Sequence, residues 1–290
     1  MSFITVSLLA YSVNPNGKTV ASFEWEYPRF IHSEVMTHRA LSKNAASSRA
    51  IPAKKVRKQV WDNPAMPVEW SKNQAGMSAK ATLSSRRGKV AGWLWKSAAR
   101  TACMFHWGLE KLGLHKQYIN RILEPWALMK IVISGSEWNN FVWLRNHIDA
   151  QPELQVLGNL VSKALLTNKP KLLQWGEWHL PYIPNIIKDQ FTLKELNYIS
   201  TSSCAQVSYR VLDTSLEKAE KIVNMLTSGD RVHASPFEHQ FKAVNSKGLT
   251  LAKAAKLGFT HVDASKQVWS GNACEWVQQR QLIPGHTVVG

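Results

Sequence analysis

Between Thr37 and Arg49 the chain gathers its densest set of polar side chains: Thr37, His38, Arg39, Ser42, Asn44, Ser47, Ser48 and Arg49. Carried on a helix, Ser42, Arg49 and His38 lie one or two turns apart, while Arg39 and Asn44 point to different faces. Ser47, Ser48 and Arg49 fall where that helix should fray. A helix end offering hydroxyls, a guanidinium fork and free backbone N–H groups can bind phosphate. The same residues also suit a solvated helix face, and composition does not choose between the two. Neither a GxGxxG nor a GxxxxGK[ST] loop occurs, so a nucleotide must be held another way. The three cysteines, Cys103, Cys204 and Cys274, are odd in number and lack CxxC spacing. That argues against a disulfide framework or an all-cysteine zinc site. His106 and His179 stand among Trp and Leu and read as core or surface histidines, not metal ligands.

The elements that must position these residues follow from patterning. Residues 4–11 and 19–27 are extended runs joined by Asn14-Pro15-Asn16-Gly17, which predicts a hairpin. After Pro28, the spacing of Phe30, Ile31, Glu34, Val35, His38 and Leu41 predicts a helix that begins at the proline and stops near residues 47–52. Residues 51–88 carry Pro52, Pro64, Pro67, Gly76 and many lysines without a period, and read as irregular. Helical spacing returns over 90–112 and over 138–165, the latter interrupted at Gln151-Pro152. Residues 174–184 read as a connector, 206–209 as a short extended run and 216–226 as a helix. Trp93, Trp95 and Trp107 are expected in the core. The pairs Lys54-Lys55, Arg57-Lys58 and Arg86-Arg87 are expected on solvated faces, where they can also guide anions inward.

Composition bounds the answer. The chain has 290 residues, 44% hydrophobic, with 13 Trp, and so can bury a core, which excludes the disordered class. Its apolar runs, such as residues 141–144, fall far short of the ~20 residues of a membrane span. The start Met1-Ser2-Phe3 lacks the basic region of a secretory signal. The expectation is a soluble, cytoplasmic protein. With 36 basic and 20 acidic residues the formal charge is +16. That excess points to anionic partners, either nucleic acid or small polyanions such as nucleotides, without deciding which.

The wording of the polar cluster is specific. THRALSKNAASSR, residues 37–49, resembles the RHRxxSxNxxSxR signature of flavin-dependent thymidylate synthases, with Thr37 in place of the first arginine. Asn120-Arg121-Ile122-Leu123-Glu124-Pro125 is similar to that family's ARxxLP segment. Asn140, Leu144-Arg145 and Ala150-Gln151-Pro152-Glu153 are similar to its N-x4-R-x4-AQ-x-E helix. Gln206-Val207-Ser208-Tyr209 and His233-Ala234-Ser235-Pro236-Phe237-Glu238-His239 resemble its ARVSY…HxSPFEH block, which normally precedes the first motif. The chain therefore resembles a circularly permuted, phage-type member. Permutation costs little where the old termini lie close together on the surface.

The resemblance implies an α+β fold, a central antiparallel sheet with long helices, in permuted motif order. Residues 1–290 would form one catalytic domain: 19–165 with the signature and substrate helices, 166–202 a connector, 203–244 the SPFEH segment and 245–290 an extension. It implies a homotetramer whose FAD, dUMP and folate sites lie where subunits meet. His38, Arg39, Asn44, Asn140, His233 and Ser235 would face flavin or folate. Glu34, Ser47, Ser48, Arg49, Arg121 and Arg145 would hold dUMP. No metal, no membrane and no specific nucleic acid is expected, and a phage-infected bacterial cytoplasm fits the type.

The implied reaction transfers one carbon from methylenetetrahydrofolate to C5 of dUMP, giving dTMP with NADPH as reductant. C5 becomes nucleophilic when negative charge develops on the N3/O4 side of uracil, and a positioned guanidinium, here Arg145, can stabilise that charge. The reduced flavin carries the carbon unit and electrons, so no cysteine nucleophile is required. Departures alter the pocket: Ala45 stands where the signature has Glu, Ser134 and Ser136 replace polar and cationic flavin contacts, and Asp149 replaces a His. A variant that 5-hydroxymethylates dUMP or dCMP for modified phage DNA is one alternative. A basic nucleic-acid-binding protein that has kept the fold and lost catalysis is another, of a different class.

Overall fold

The structure, a computed structural model, describes residues 3–76, 79, 81–208 and 211–287. The predicted hairpin forms: β1 (Thr5–Val13) and β2 (Thr19–Pro28) pair antiparallel, with an irregularity between Leu8 and Ala10. Its turn closes because the Asn14 Oδ1 accepts from the backbone N–H of Asn16 and Lys18, both at 3.0 Å. Gly17 at φ +83° takes the left-handed position that a Cβ would disfavour. Short β3 (Ser42–Ala45), β4 (Leu128–Gly135) and β5 (Lys171–Leu172) complete a five-stranded sheet in the order β3-β4-β2-β1-β5. Every neighbouring pair is antiparallel except β1 with β5. The architecture is α+β with antiparallel strands dominant, as expected.

Alternation along β2 sends Phe23, Trp25 and Tyr27 to one face, all fully buried. Against that face lie α5 (Trp138–Arg145) and α6 (Pro152–Thr167), which appear after α1 (His32–Met36), α2 (Ala53–Asp62), α3 (Ser85–Lys111) and α4 (Lys116–Ile119). Trp138 meets Phe23 edge-on at 4.9 Å between ring centroids, and Phe141 meets Trp25 at 5.3 Å. Ser22 and Glu24 face the other way. There Tyr182 donates to the Glu24 carboxylate at 2.7 Å, and α7 (Leu193–Ala205) packs on α8 (Leu216–Thr227). Two three-stranded sheets follow. One joins β6 (Trp178–His179), β7 (Phe241–Lys242) and β11 (Val277–Gln278). The other, beyond α9 (Leu251–Lys256), joins β8 (His261–Val262), β9 (Val268–Ser270) and β10 (Ala273–Cys274).

Several sequence expectations need correction. The helix after Pro28 is a 3-10 turn, Arg29–Ile31, followed only by α1; it ends before the signature, which is a turn and then β3. Pairing of Ser42–Ala45 with β4 satisfies the backbone in a ladder that local helical spacing could not reveal. Residues 51–88 are not irregular throughout: Pro52 sets the start of α2, whose Val56 and Val60 are buried. The break between α5 and α6 spans 146–151, with Pro152 opening α6. Residues 206–208 form a 3-10 turn instead of an extended run, and Tyr209 lies outside the described residues. Helix α7 was not anticipated. Helix α3 forms as expected, but Trp93 and Trp107 are 66% and 53% exposed and do not enter the core. Among the described residues no helix is long and apolar enough to cross a membrane.

One glycine ties helix packing to a site residue. A Cβ on Gly158 of α6 would lie 2.7 Å from the carbonyl carbon of Arg145 and 2.9 Å from its oxygen. Those are backbone atoms and cannot rotate away. Gly158→Ala should therefore destabilise by about 1–3 kcal/mol through forced separation of α5 and α6. Thermal or urea unfolding checks this, and an unchanged midpoint would overturn the packing account.

Candidate functional site

Three segments distant in sequence meet around one small cavity of about 170 Å³, lined by Ala46 and Ser48, by Asn120 and Glu124, and by Val207 and Ser208. Asn120, fully buried, donates from its amide to the carbonyls of Ser48 at 2.7 Å and Ile51 at 3.0 Å. The backbone N–H of Ser47 donates to the Ser208 hydroxyl at 2.9 Å. At the rim, Glu124 gathers the cations: its Oε1 lies 2.9 Å from Arg29, 3.4 Å from Arg121 and 3.0 Å from the Ser48 hydroxyl that donates to it. The carboxylate thus occupies a position suited to an anion, between two guanidinium groups and a hydroxyl. Arg49 is exposed, and its N–H donates to the Ser47 hydroxyl at 3.3 Å.

Arg145 joins a different group. Its Nε donates to Nε2 of His38 at 2.8 Å and its Nη2 lies 3.5 Å from the Thr37 hydroxyl. His38 is buried with its ring edge-on to Phe141. Burial, with the nearby charges of Arg145 and Lys43, pushes its pKa down to about 4. A neutral imidazole with a bare Nε2 is what a guanidinium donor requires. Lys43 bridges back to the carbonyls of His38 and Leu41, the latter at 2.8 Å. Burial lowers its pKa to about 8 against the opposing pull of Glu238. Glu34 accepts from the Ser33 hydroxyl at 2.9 Å, and its carbonyl accepts from Thr37.

The residues assigned to a flavin are divided. Arg39, Asn140, His233 and Ser235 are exposed, and β3 packs against the 3-10 turn Ser235–Glu238. Asn44 is turned inward, its amide donating to the carbonyl of Cys204 at 2.5 Å. Ser134 and Ser136 also have internal partners. Ser136 accepts from the N–H of Cys274 at 2.9 Å. Ser134 belongs to a buried chain of hydrogen bonds, Ser12–His179–Ser22–Ser134–His239, with steps of 2.9, 2.9, 2.6 and 2.9 Å. Burial holds both histidines of that chain near a pKa of about 3. His106 is likewise buried, between Arg57 and Asn120. All three cysteines are buried free thiols, and burial raises the pKa of each.

Sequence reasoning missed Arg29, Glu124 as an anion among cations, Lys43, and the C-terminal extension. The Ser42 hydroxyl donates to Asn272 Oδ1 at 3.0 Å and its oxygen accepts from the Gln278 amide at 3.0 Å, so the extension braces the signature strand. Only the pattern Arg29…Arg121-x-x-Glu124 offered a signal for any of these, and it needed the fold to bring Arg29 across.

No family model and no curated protein matches this chain. Among solved structures, a UMP/dUMP methylase PolB from Streptomyces cacaoi bound with 5-Br dUMP is similar at 14% identity and a TM-score of 0.48, over 58% of this chain and 91% of that one. The flavin-dependent thymidylate synthase ThyX from Helicobacter pylori, complexed with FAD and dUMP, is similar at 16% identity and a TM-score of 0.35, over 51% and 68%. At that level the likenesses are partial, and the reading of chemistry rests on the residues.

The His38 environment has a measurable consequence. Its folded pKa of about 4 lies below the unfolded value of 6.5, so between those values the unfolded chain binds more protons. This group therefore adds stability as pH rises from 4 to 6.5, and that contribution is lost as pH falls through the same range. His38→Gln should flatten this part of the profile in urea titrations at pH 5 and 7. An NMR titration placing the His38 midpoint near 6.5 would refute the assignment.

Proposed function

We propose that the chain is a flavin-dependent enzyme transferring a one-carbon unit from methylenetetrahydrofolate to C5 of dUMP, with NADPH as reductant and its motifs in circularly permuted order. The observation that carries this reading is the convergence of signature residues 46–48, segment 120–124 and segment 207–208 on one cavity, although they span 160 positions of the sequence. Segments that merely happened to match motifs would have no reason to meet.

In this reading the dUMP phosphate displaces the Glu124 carboxylate and takes up Arg121, Arg29 and the Ser48 hydroxyl. Arg145 faces the pyrimidine and stabilises the negative charge that develops at N3/O4 as C5 becomes nucleophilic. His38, by accepting a hydrogen bond from Nε, fixes the guanidinium plane and leaves Nη1, with Nη2 near the Thr37 hydroxyl, for substrate. Arg39, Asn140, His233 and Ser235 would hold the flavin, which supplies electrons and relays the carbon unit when bound. The buried thiols take no part.

A cavity of 170 Å³ is smaller than the ~300 Å³ at which ligand pockets begin. A second subunit completing the site resolves this, and Trp143 and Ile148, 74% and 83% exposed beside Arg145, offer the apolar surface for it. We therefore assign a homo-oligomer, a tetramer as the resemblance implies. The altered positions Thr37 and Ala45 favour no product by themselves, so methyl and 5-hydroxymethyl products are distinguished by mass spectrometry.

Purified protein should carry flavin absorbance, and Arg145→Ala should lower turnover at least ~100-fold while folding and flavin binding persist. Wild-type turnover in that variant removes Arg145 from the mechanism. Arg121→Ala should weaken dUMP about tenfold or more, the scale of a hydrogen bond to a charged group, and leave deoxyuridine nearly unaffected. Equal losses for both ligands in calorimetric titration would reject the phosphate assignment.

A further inference from the structure

Helix α3 is twenty-seven residues long, yet it buries only Ala99, Cys103 and His106. Along one flank of it Lys89, Trp93, Lys96 and Arg100, and then Trp107 and Lys111, recur at spacings of three, four or seven; all six are exposed, and buried Cys103 separates the two groups. The row spans about 33 Å at 1.5 Å per residue. Helix α2 extends it sideways: Arg100 sits over the ring of Trp61 at 5.9 Å, and Lys111 lies over Trp107 at 5.9 Å. A groove between the helices adds Lys54 and Lys58. Together α2 and α3 hold ten basic and two acidic residues, a net +8 and half of the chain's +16. Both acids are already paired, Asp62 with Lys58 and Glu110 with Arg57.

We propose that this face binds a single-stranded polynucleotide, the cations tracking phosphates and Trp93 and Trp107 stacking on bases. Charge complementarity selects the occupant. A second copy of the chain docked here by two-fold symmetry would set +8 against +8. A lipid surface would be met by the exposed apolar residues Val90, Leu94 and Phe105 on a separate face of α3, with Leu112 at its C-cap, whereas on this flank immersing Trp93 would carry Lys89, Lys96 and Arg100 with it. A duplex satisfies the cations but keeps its bases stacked and offers the rings nothing. A single strand exposes both phosphates and π-faces, and the row is long enough for the 4–16 nucleotides that such sites cover. This inference does not depend on the reaction proposed above, since none of these residues is placed in that site.

The test is fluorescence anisotropy of the intact protein with labelled (dT)20, its abasic counterpart, a 20-base-pair duplex and phosphatidylserine vesicles, at 50 and 200 mM salt. Binding of (dT)20 should fall steeply with salt and be accompanied by tryptophan quenching. Lys89→Glu with Lys96→Glu and Arg100→Glu should weaken it by at least ~100-fold. Trp93→Leu with Trp107→Leu should weaken (dT)20 at least ~10-fold but leave the abasic strand unchanged. Circular dichroism and flavin content, both expected at wild-type values, show that these variants fold. Equal affinity for (dT)20 and the abasic strand, or no effect of the tryptophan pair, overturns the proposal in favour of a plain cationic face. Tighter binding to vesicles overturns it in favour of a membrane, and dissociation of the oligomer by the same variants, with no strand bound, in favour of self-association.

Discussion

The pairing of four residues, Ser42–Ala45, with β4 is the constraint on which the site depends. It sets Ser42 opposite Ser134 and Ala45 opposite Ile131, and so fixes which way each signature side chain points. Ser42 then meets Asn272 and Gln278 of the extension, Asn44 reaches the carbonyl of Cys204, and the N–H of Ala46 bonds the carbonyl of Lys130. The chain enters the strand through the turn that carries His38 and leaves it at Ser47. A slip of one residue would exchange the two faces and disconnect both ends from their partners. A four-residue edge strand has little stability of its own, and here the 3-10 turn at 235–238 and the extension cover it.

Electrostatics in the interior follow one rule: polar groups enter neutral or paired. The Ser12-to-His239 chain runs through the sheet on uncharged groups, because two imidazolium ions there would lack counter-charges. His38 is kept neutral by the same desolvation, with Arg145 and Lys43 adding repulsion, and this lets its Nε2 accept a hydrogen bond from a guanidinium. Near the surface the rule changes, and Glu124 is shared by Arg29 and Arg121. There the carboxylate, its side chain 24% exposed, neutralises both guanidinium groups.

The two halves of the molecule divide the positive charge unevenly. The cavity side balances its cations with Glu26, Glu124 and Glu24, while α2 and α3 leave theirs largely uncompensated. A charge excess that serves small anionic ligands would be concentrated at the cavity. Its extension along α3, none of whose residues lines the cavity, instead speaks for a second, extended anion.

The sequence by itself determined what local chemistry decides. Asn14-Pro15-Asn16-Gly17 specified the hairpin because an Asx side chain and a left-handed glycine close it locally, and Glu275 of the extension accepts further bonds from Asn14 and Asn16. The 3.6-residue period located α3 and α8, and the spelling of residues 37–49, 120–125 and 206–209 singled out segments of which 46–48, 120–124 and 207–208 meet at one cavity. Tertiary structure alone decided the state of the signature, because a strand on a sheet edge takes its hydrogen bonds from residues almost ninety positions away, while the apolar spacing of Phe30 to Leu41 mimics a helix. It also decided that Trp93 and Trp107 face solvent, since helical periodicity fixes which residues share a face but not which face meets the core. The roles of Arg29, Glu124 and the extension were invisible for the same reason: each is defined by a partner brought close only when the sheet has formed.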